Sequence, residues 1–223
     1  MRYLSTRKAF LFSILFSFSA CLFAEPANLG LLTKVVQRYH DSGTYQRELS
    51  CVIANARAYI LKRAMANKQR RHPQKLALVL DIDETSISNY NKMVKRGFAA
   101  SKKQINQEIL KGDSPAIEST HTLYQDALKH GINVFFVTGR AQSQKTATVK
   151  NLKKAGYQQW TKLYLRPETY KTHSIIPFKA QARADIAKQG YVIIASIGDQ
   201  CSDLKGGHAE KGFKLPNPYY YLP

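Results

Sequence analysis

The feature that most constrains the fold of this chain is a set of four short apolar runs without polar alternation. The runs cover residues 76–80, 132–137, 162–165 and 191–197. Such runs suit strands that are buried on both faces of a parallel sheet. Helical patterns separate them, at 115–130, 141–155 and 177–189. The alternation predicts an α/β fold with a doubly wound, Rossmann-like parallel sheet.

Two further helices precede the first predicted strand. Apolar residues recur at helical spacing in 29–40 and 44–67, so we expect N-terminal helices there. Ser114 and Pro115 are expected to begin the first helix after that strand.

Residues 86–114 lie between the first predicted strand and the next helix, and they are strongly basic. We interpret this segment as a small cap inserted after the first strand, over the carboxyl edge of the sheet. The alternative is a long surface loop.

Residues 1–24 have the layout of a secretory signal peptide, which leaves 25–223 as the folded domain. Positive residues come first, an uncharged apolar run follows, and Ala24 is a small residue suited to cleavage. The chain is therefore expected to be exported, to the periplasm or beyond. A lipoprotein signal that leaves a lipid anchor on Cys21, in an outer-membrane lipoprotein, is one alternative, and an uncleaved anchor is another. Three cysteines are too few for a disulfide-built scaffold. If Cys21 leaves with the signal, Cys51 and Cys201 either pair or stay as buried free thiols.

The charge balance favours anionic partners. Lys and Arg number 34 against 15 Asp and Glu, a formal net charge of +19. The basic residues are spread along the chain and are not interleaved with aromatic residues. A small phosphorylated substrate is therefore expected, and a dedicated nucleic-acid site is not.

Carboxylates follow two of the predicted strands. Asp81 and Asp83 come after the first strand, and Asp199 and Asp203 come after the last. Ligands bind at the carboxyl ends of strands in open parallel sheets, so we expect these four side chains to converge. Their repulsion requires a compensating cation or proton, and Mg²⁺ is suited to this role by its preference for oxygen ligands.

An anion site is expected beside them. Thr138 and Gly139 end the second strand and are expected to lead into a helix N-terminus, which favours anions. Lys179, in the first turn of a later helix, could add a positive charge.

Taken together, these motifs resemble those of the haloacid dehalogenase superfamily. The strings DIDETSISN at 81–89, FVTGR at 136–140 and IGDQCSDL at 197–204 are similar to those of the exported acid phosphatases of subfamily IIIB. Relatives in this subfamily include bacterial periplasmic and lipoprotein acid phosphatases and plant vegetative storage proteins. The similarity extends to FKLPNP at 213–218.

The resemblance implies a phosphomonoesterase mechanism and assigns a role to each motif residue. Asp81 would be the nucleophile that forms an aspartyl-phosphate, and Asp83 the general acid and base. By the same resemblance, Mg²⁺ would be held by the Asp81 carboxylate, the Asp83 backbone carbonyl and Asp199. The phosphoryl oxygens would be held by Thr138, Gly139 and Lys179. Asp203 and Thr85 would support these residues without contacting the substrate.

Two other functions stay open at this stage. A storage-type relative would bind phosphate with weak or no catalysis, and a polyanion-binding protein would use its basic surface. Within the phosphatase interpretation, nucleotides are one candidate substrate. Tyr90 and Phe98 either stack on a nucleobase or aromatic ester, or pack inside the cap.

Overall fold

The computed structural model describes residues 26–222, which are organised around a five-stranded parallel sheet. The strand order is β3-β2-β1-β4-β5, and every neighbouring pair is parallel. The strands are β1 Lys75–Leu80, β2 Asn133–Ala141, β3 Lys162–Arg166, β4 Tyr191–Gly198 and β5 Lys211–Lys214. The four apolar runs thus form the four predicted strands. β5 was not predicted, because Phe213 is its one buried side chain and leaves no apolar run to detect.

Helices cover both faces of this sheet, which confirms the predicted α/β class. Along β1, Leu78 and Leu80 belong to the larger apolar core, while Ala77 and Val79 belong to a second core on the opposite face. The helices are α1 Leu29–Asp41, α2 Thr44–Lys68, α3 Tyr90–Lys95, α4 Lys102–Lys111, α5 Glu118–Lys129, α6 Lys145–Lys154 and α7 Ile176–Lys188.

The predicted start of α5 at Ser114 is wrong, for a reason that lies far away in sequence. The backbone before α5 pairs with the segment after β1, through a bridge between Ile87 and Ala116 and an Ile117 N–H to Ser86 carbonyl bond of 3.0 Å. The Ser114 hydroxyl donates to Asn89 Oδ1 instead of capping the helix. The helix therefore begins only at Glu118.

The segment 86–114 contains α3 and α4, so it is not a structureless loop. Its two ends are joined, since the Ser88 N–H donates to the Pro115 carbonyl. Both termini of the segment thus leave the sheet at one place, beside the carboxyl end of β1.

The expected signal peptide, its alternatives and Cys21 lie outside the described residues. Within 26–222, Cys51 and Cys201 are free and exposed, which contradicts both the proposed pairing and the expectation of buried thiols. In the same range, no helix combines the length and apolar content needed to cross a membrane.

Candidate active site

The ends of β1 and β4 bring three carboxylates together. The Asp81 N–H donates to the Ile197 carbonyl, which extends the pairing of the two strands one residue past β1. Asp199 follows β4 directly, and Asp203 lies in the short 3₁₀ turn Cys201–Asp203. One oxygen from each of these three aspartates lies within 4.8 Å of the others, and all three residues are buried.

Lys179 supplies the positive charge at this cluster. It lies in the first turn of α7, and its Nζ donates to Asp81 Oδ1 at 2.9 Å and to Asp203 Oδ1. Burial opposes the charge on Lys179, but the two carboxylates outweigh it and raise the pKa of the ammonium group. Lys179 is therefore charged and fixed between Asp81 and Asp203.

Asp199 is held by neutral donors. Its Oδ1 accepts from Thr85 Oγ1 at 2.8 Å, and its Oδ2 accepts from Gln200 Nε2 at 2.9 Å and Asn217 Nδ2 at 2.7 Å. Burial and the nearby Asp203 carboxylate nevertheless raise the pKa of Asp199. These donors fix the direction of the Asp199 side chain without cancelling its charge.

The cluster fits a divalent cation. Burial raises the pKa of Asp81 well above its ordinary value, opposed by Lys179 and reinforced by the neighbouring aspartates. When ionised, Asp81, Asp199 and Asp203 carry more negative charge than Lys179 alone can balance. A hard cation prefers such oxygen ligands and would compensate the excess. The buried carboxylates could thus hold a divalent metal.

Asp83 lines the same cavity as Asp81, but its carboxylate is not one of the three in the cluster. Its Oδ2 accepts from Arg140 Nε at 2.8 Å, and its Oδ1 accepts from Arg140 Nη2 at 2.6 Å and Asn89 Nδ2 at 2.8 Å. Burial raises the pKa of Asp83, but the guanidinium outweighs it and the pKa is lowered. The side chain is directed towards Arg140, which favours its ionised form in the free protein.

Thr138 and Gly139 lie in β2 and lead into a helix N-terminus, as expected, but they are not its first residues. β2 continues through both residues to Ala141, the short 3₁₀ turn Gln142–Gln144 follows, and α6 begins at Lys145. Both residues line one cavity of about 850 Å³, together with Asp81, Asp83 and Lys179. The structure thus brings these five residues to one cavity.

Two segments supply many of the lining residues. The segment 86–114 contributes the apolar residues Met93, Phe98, Ile105 and Ile109 together with the polar and charged residues Asn89, Arg96, Lys102 and Glu108. The end of β3 and the loop after it contribute the polar and basic residues Arg166, Tyr170, Lys171 and His173. Tyr90 is buried, stacks on His40 and donates to Asp41, so it packs rather than lines the cavity.

The segment after β5 completes the site and was missed as a contributor. Asn217 in this segment donates to Asp199, and the Tyr220 hydroxyl donates to Glu84 Oε2 at 2.9 Å. Burial, reinforced by the charges of Asp83 and Asp199, raises the pKa of Glu84 to about 8. The run at 213–218 pointed to this region only through resemblance, because nothing in its composition indicates contact with a distant carboxylate.

Arg183 was also missed, although it lies one turn after Lys179 on α7. It is almost fully buried and donates to the backbone carbonyls of Asp203, Lys205 and Gly207. A buried arginine thereby orders the loop that carries Asp203. The sequence of α7 has little hydrophobic periodicity, so it did not indicate that Arg183 is buried.

Known proteins are similar to this chain in sequence and in fold. A family model described as HAD superfamily, subfamily IIIB (Acid phosphatase), matches residues 26–223. The stem 28 kDa glycoprotein of Glycine max is 39% identical over 157 residues, which is 68% of this chain and 61% of that protein. Acid phosphatase 1 of Solanum lycopersicum is 36% identical over 148 residues, which is 65% of this chain and 58% of that protein. The matched part of the chain thus spans less than two thirds of either relative.

Two further proteins extend the comparison. Vegetative storage protein 1 of Arabidopsis thaliana is 30% identical over 196 residues, covering 77% of this chain and 72% of that protein. The structure of the class C acid phosphatase from Bacillus anthracis superposes with a TM-score of 0.69 at 22% identity and covers 86% of each chain. At that identity the superposition shows a shared fold.

Proposed function

The chain belongs to subfamily IIIB of the HAD superfamily, the acid phosphatases, and on this premise we propose that it hydrolyses phosphomonoesters through an aspartyl-phosphate on Asp81. The observation that carries the proposal is the contact between the buried Asp81 carboxylate and Lys179, inside a cavity that also contains Thr138 and Gly139. A nucleophilic carboxylate needs such a partner, because burial alone would favour its protonated, unreactive form.

In the first step, an Asp81 oxygen attacks phosphorus in line and the bond from phosphorus to the ester oxygen breaks. The electron pair stays on the departing oxygen, which receives a proton from the protonated form of Asp83. Arg140 favours the ionised form in the free protein, so Asp83 would take up this proton from solvent as the negatively charged substrate binds. In the second step, Asp83 takes a proton from a water molecule that attacks the same phosphorus, and the bond to Asp81 breaks to release phosphate. Lys179, Thr138 and the Gly139 N–H would hold the phosphoryl oxygens during both steps.

We further propose that the metal is Mg²⁺. The Asp81 carboxylate, the Asp83 backbone carbonyl and Asp199 would hold it, with Asp203 and Thr85 supporting these ligands. When bound, the ion would neutralise charge on the nucleophile and on the phosphoryl group. The support for this assignment is the all-oxygen donor set and its excess negative charge.

The cavity supports a leaving group that is partly apolar. The wall from 86–114, which we propose is a cap, would contact an aryl group or a nucleobase, with Phe98 as the aromatic residue in reach. The basic residues Arg166, Lys171 and His173 in the lining would favour a substrate with further negative charge, such as a nucleotide. Domain limits of 25–223 with this cap, and export directed by residues 1–24, belong to the same proposal.

A storage-type function is the second candidate. It is favoured by the 30% identity to a vegetative storage protein. Such a protein would bind phosphate at Lys179 and Thr138 without turning over an ester. The presence of Asp81 and Asp83 favours the enzyme.

The decisive experiment measures phosphate release from p-nitrophenyl phosphate by the wild-type chain and by Asp81→Asn. We expect activity that requires Mg²⁺, disappears with a chelator, and falls by at least about 10³-fold in the variant, as for other nucleophile replacements. Asp185→Asn is the matched control, because this aspartate on α7 accepts a side-chain hydrogen bond only from Gln181 among the described residues. Metal-independent activity that persists in Asp81→Asn would overturn the mechanism, and phosphate binding without turnover would favour storage.

A further inference from the structure

The side chain of Asp83 is held from two directions, by Arg140 on β2 and by Asn89 at the entrance to the cap. We propose that Arg140 and Asn89 are positioning residues that fix the direction of the Asp83 carboxylate for proton transfer to and from the substrate. The inference rests on the proposed function, since it concerns the residue assigned there as the acid and base.

Arg140 is itself immobilised. It is 4% exposed, and its Nη1 donates to Thr148 Oγ1 of α6 at 3.2 Å while Nε and Nη2 bind Asp83. All three guanidinium nitrogens therefore have partners within the protein. The planar fork matches both oxygens of one carboxylate, which a lysine ammonium cannot do. The guanidinium is engaged with Asp83 rather than presented to a phosphate.

Asn89 links the same carboxylate to both ends of the cap. While its Nδ2 binds Asp83, its Oδ1 accepts from the Ser114 hydroxyl at 2.7 Å, and that hydroxyl accepts from Lys92 Nζ at 2.9 Å. Asn89 immediately precedes α3, and Ser114 follows α4. Asn89, which donates to Asp83, is thus itself held in place by the segment 86–114, which would contact the leaving group.

Such restraint matters because proton transfer requires a donor and an acceptor within hydrogen-bond reach. Asp83 lies in a tight turn after β1, where the Ser86 and Ile87 N–H groups both donate to the Ile82 carbonyl. The turn fixes the backbone but leaves the rotamer of Asp83 open. Arg140 and Asn89 remove that freedom, so their loss should impair the steps that need Asp83 more than those that need Asp81.

The test compares two substrates that differ in how much their leaving group needs a proton. p-Nitrophenolate departs readily without protonation, whereas the alkoxide of ethyl phosphate does not. We expect Arg140→Lys to reduce kcat/KM for ethyl phosphate about 10-fold to 100-fold more than for p-nitrophenyl phosphate. This ratio is part of the rate enhancement that a general acid usually contributes. Asp83→Asn should show the same pattern. Adding Arg140→Lys to Asp83→Asn should cause little further loss of kcat/KM, because Asp83→Asn already removes the carboxylate that Arg140 positions.

Asn89→Ser provides a second variant that leaves the buried guanidinium in place, and it should show the same selectivity for ethyl phosphate. Arg63→Lys is the matched control, since Arg63 pairs with Glu210 far from the cavity. Thermal unfolding of each variant checks that it is folded.

Two results would overturn the inference while leaving the proposed function intact. Direct phosphate binding by Arg140 would give equal losses for both substrates that multiply with the Asp83→Asn loss. A purely structural role would give equal losses that follow the drop in unfolding temperature. No turnover by the wild-type chain would instead remove the proposed function, and this inference with it.

Discussion

Gly198 shows how closely the groups of the site are packed. A Cβ atom placed on this residue would lie 2.2 Å from the Cβ, Cγ and Oδ2 atoms of Asp203. The Asp203 carboxylate in turn binds Lys179, which binds Asp81. The absence of a side chain at Gly198 therefore allows Asp203 and Lys179 to approach the nucleophile.

Gly198→Ala should move Asp203 out of its position. We expect a loss of about 1–3 kcal/mol in the free energy of unfolding from overpacking, together with a fall in phosphatase activity. Gly212→Ala on β5 is the matched control, because the added Cβ meets only the flexible Leu204 side chain at 3.2–3.5 Å. Urea unfolding and initial rates provide the measurements. Full activity in Gly198→Ala would contradict the role given to this contact.

The positions of some site residues could be predicted from the sequence, but the directions of their side chains could not. Asp81, Thr138 and Asp199 could be placed because each stands at the end of an apolar strand, and such ends meet at one edge. The direction of the Asp83 side chain could not be predicted, since it depends on Arg140, 57 positions away. Strand ends fix where a backbone lies, whereas side-chain direction depends on partners that the local pattern does not reveal.

The helix α2 makes a polar contact at the surface with Glu210, the residue immediately before β5. Arg63 Nε and Nη2 each donate to one oxygen of Glu210 at 2.7 Å, and Tyr59 donates to the same carboxylate. Because Arg63 donates to it, the pKa of Glu210 falls below its ordinary value of 4.5. This short strand, missed in the sequence, is thus fixed in part by charge rather than by apolar burial.

Glu210→Gln should reveal this contribution through its pH dependence. With a lowered folded-state pKa, Glu210 stabilises the protein above pH 4.5, and this stabilisation is lost as pH falls through the folded-state pKa. We expect the variant to be less stable by under about 1 kcal/mol at pH 7, since the pair is partly exposed. The difference should disappear in acid. Urea unfolding from pH 7 to 3 measures it, and a difference independent of pH would contradict the ion-pair explanation.

At the scale of the whole molecule, the sheet assembles one charged centre from distant parts of the chain. The strand order puts β1 between β2 and β4, so their carboxyl ends share one edge. The order follows the general behaviour of doubly wound sheets and was predictable as a class. The contacts from the segment after β5 were not, because no period or motif in that segment indicates its partner.

Binding of a divalent ion should stabilise the entire fold. The pKa values of Asp81 and Asp199 are raised by burial and by neighbouring carboxylates, so ionising both without a cation is costly. We expect saturating Mg²⁺ to raise the unfolding temperature, with a gain of about 2.7 kcal/mol at a hundred times the Kd. Asp199→Asn should abolish most of this shift, whereas Asp185→Asn should retain it. An equal shift in Asp199→Asn would place the ion elsewhere.

The contacts of Asn217 with Asp199 and of Tyr220 with Glu84 have a consequence for biosynthesis. The ribosome adds Asp81 to the chain long before Asn217 and Tyr220, and the most recently added residues lie inside the exit tunnel. A nascent polypeptide therefore cannot assemble the complete constellation around Asp199 while residues 217–220 are unmade. The proposed phosphatase site is therefore incomplete until the segment after β5 has been synthesised.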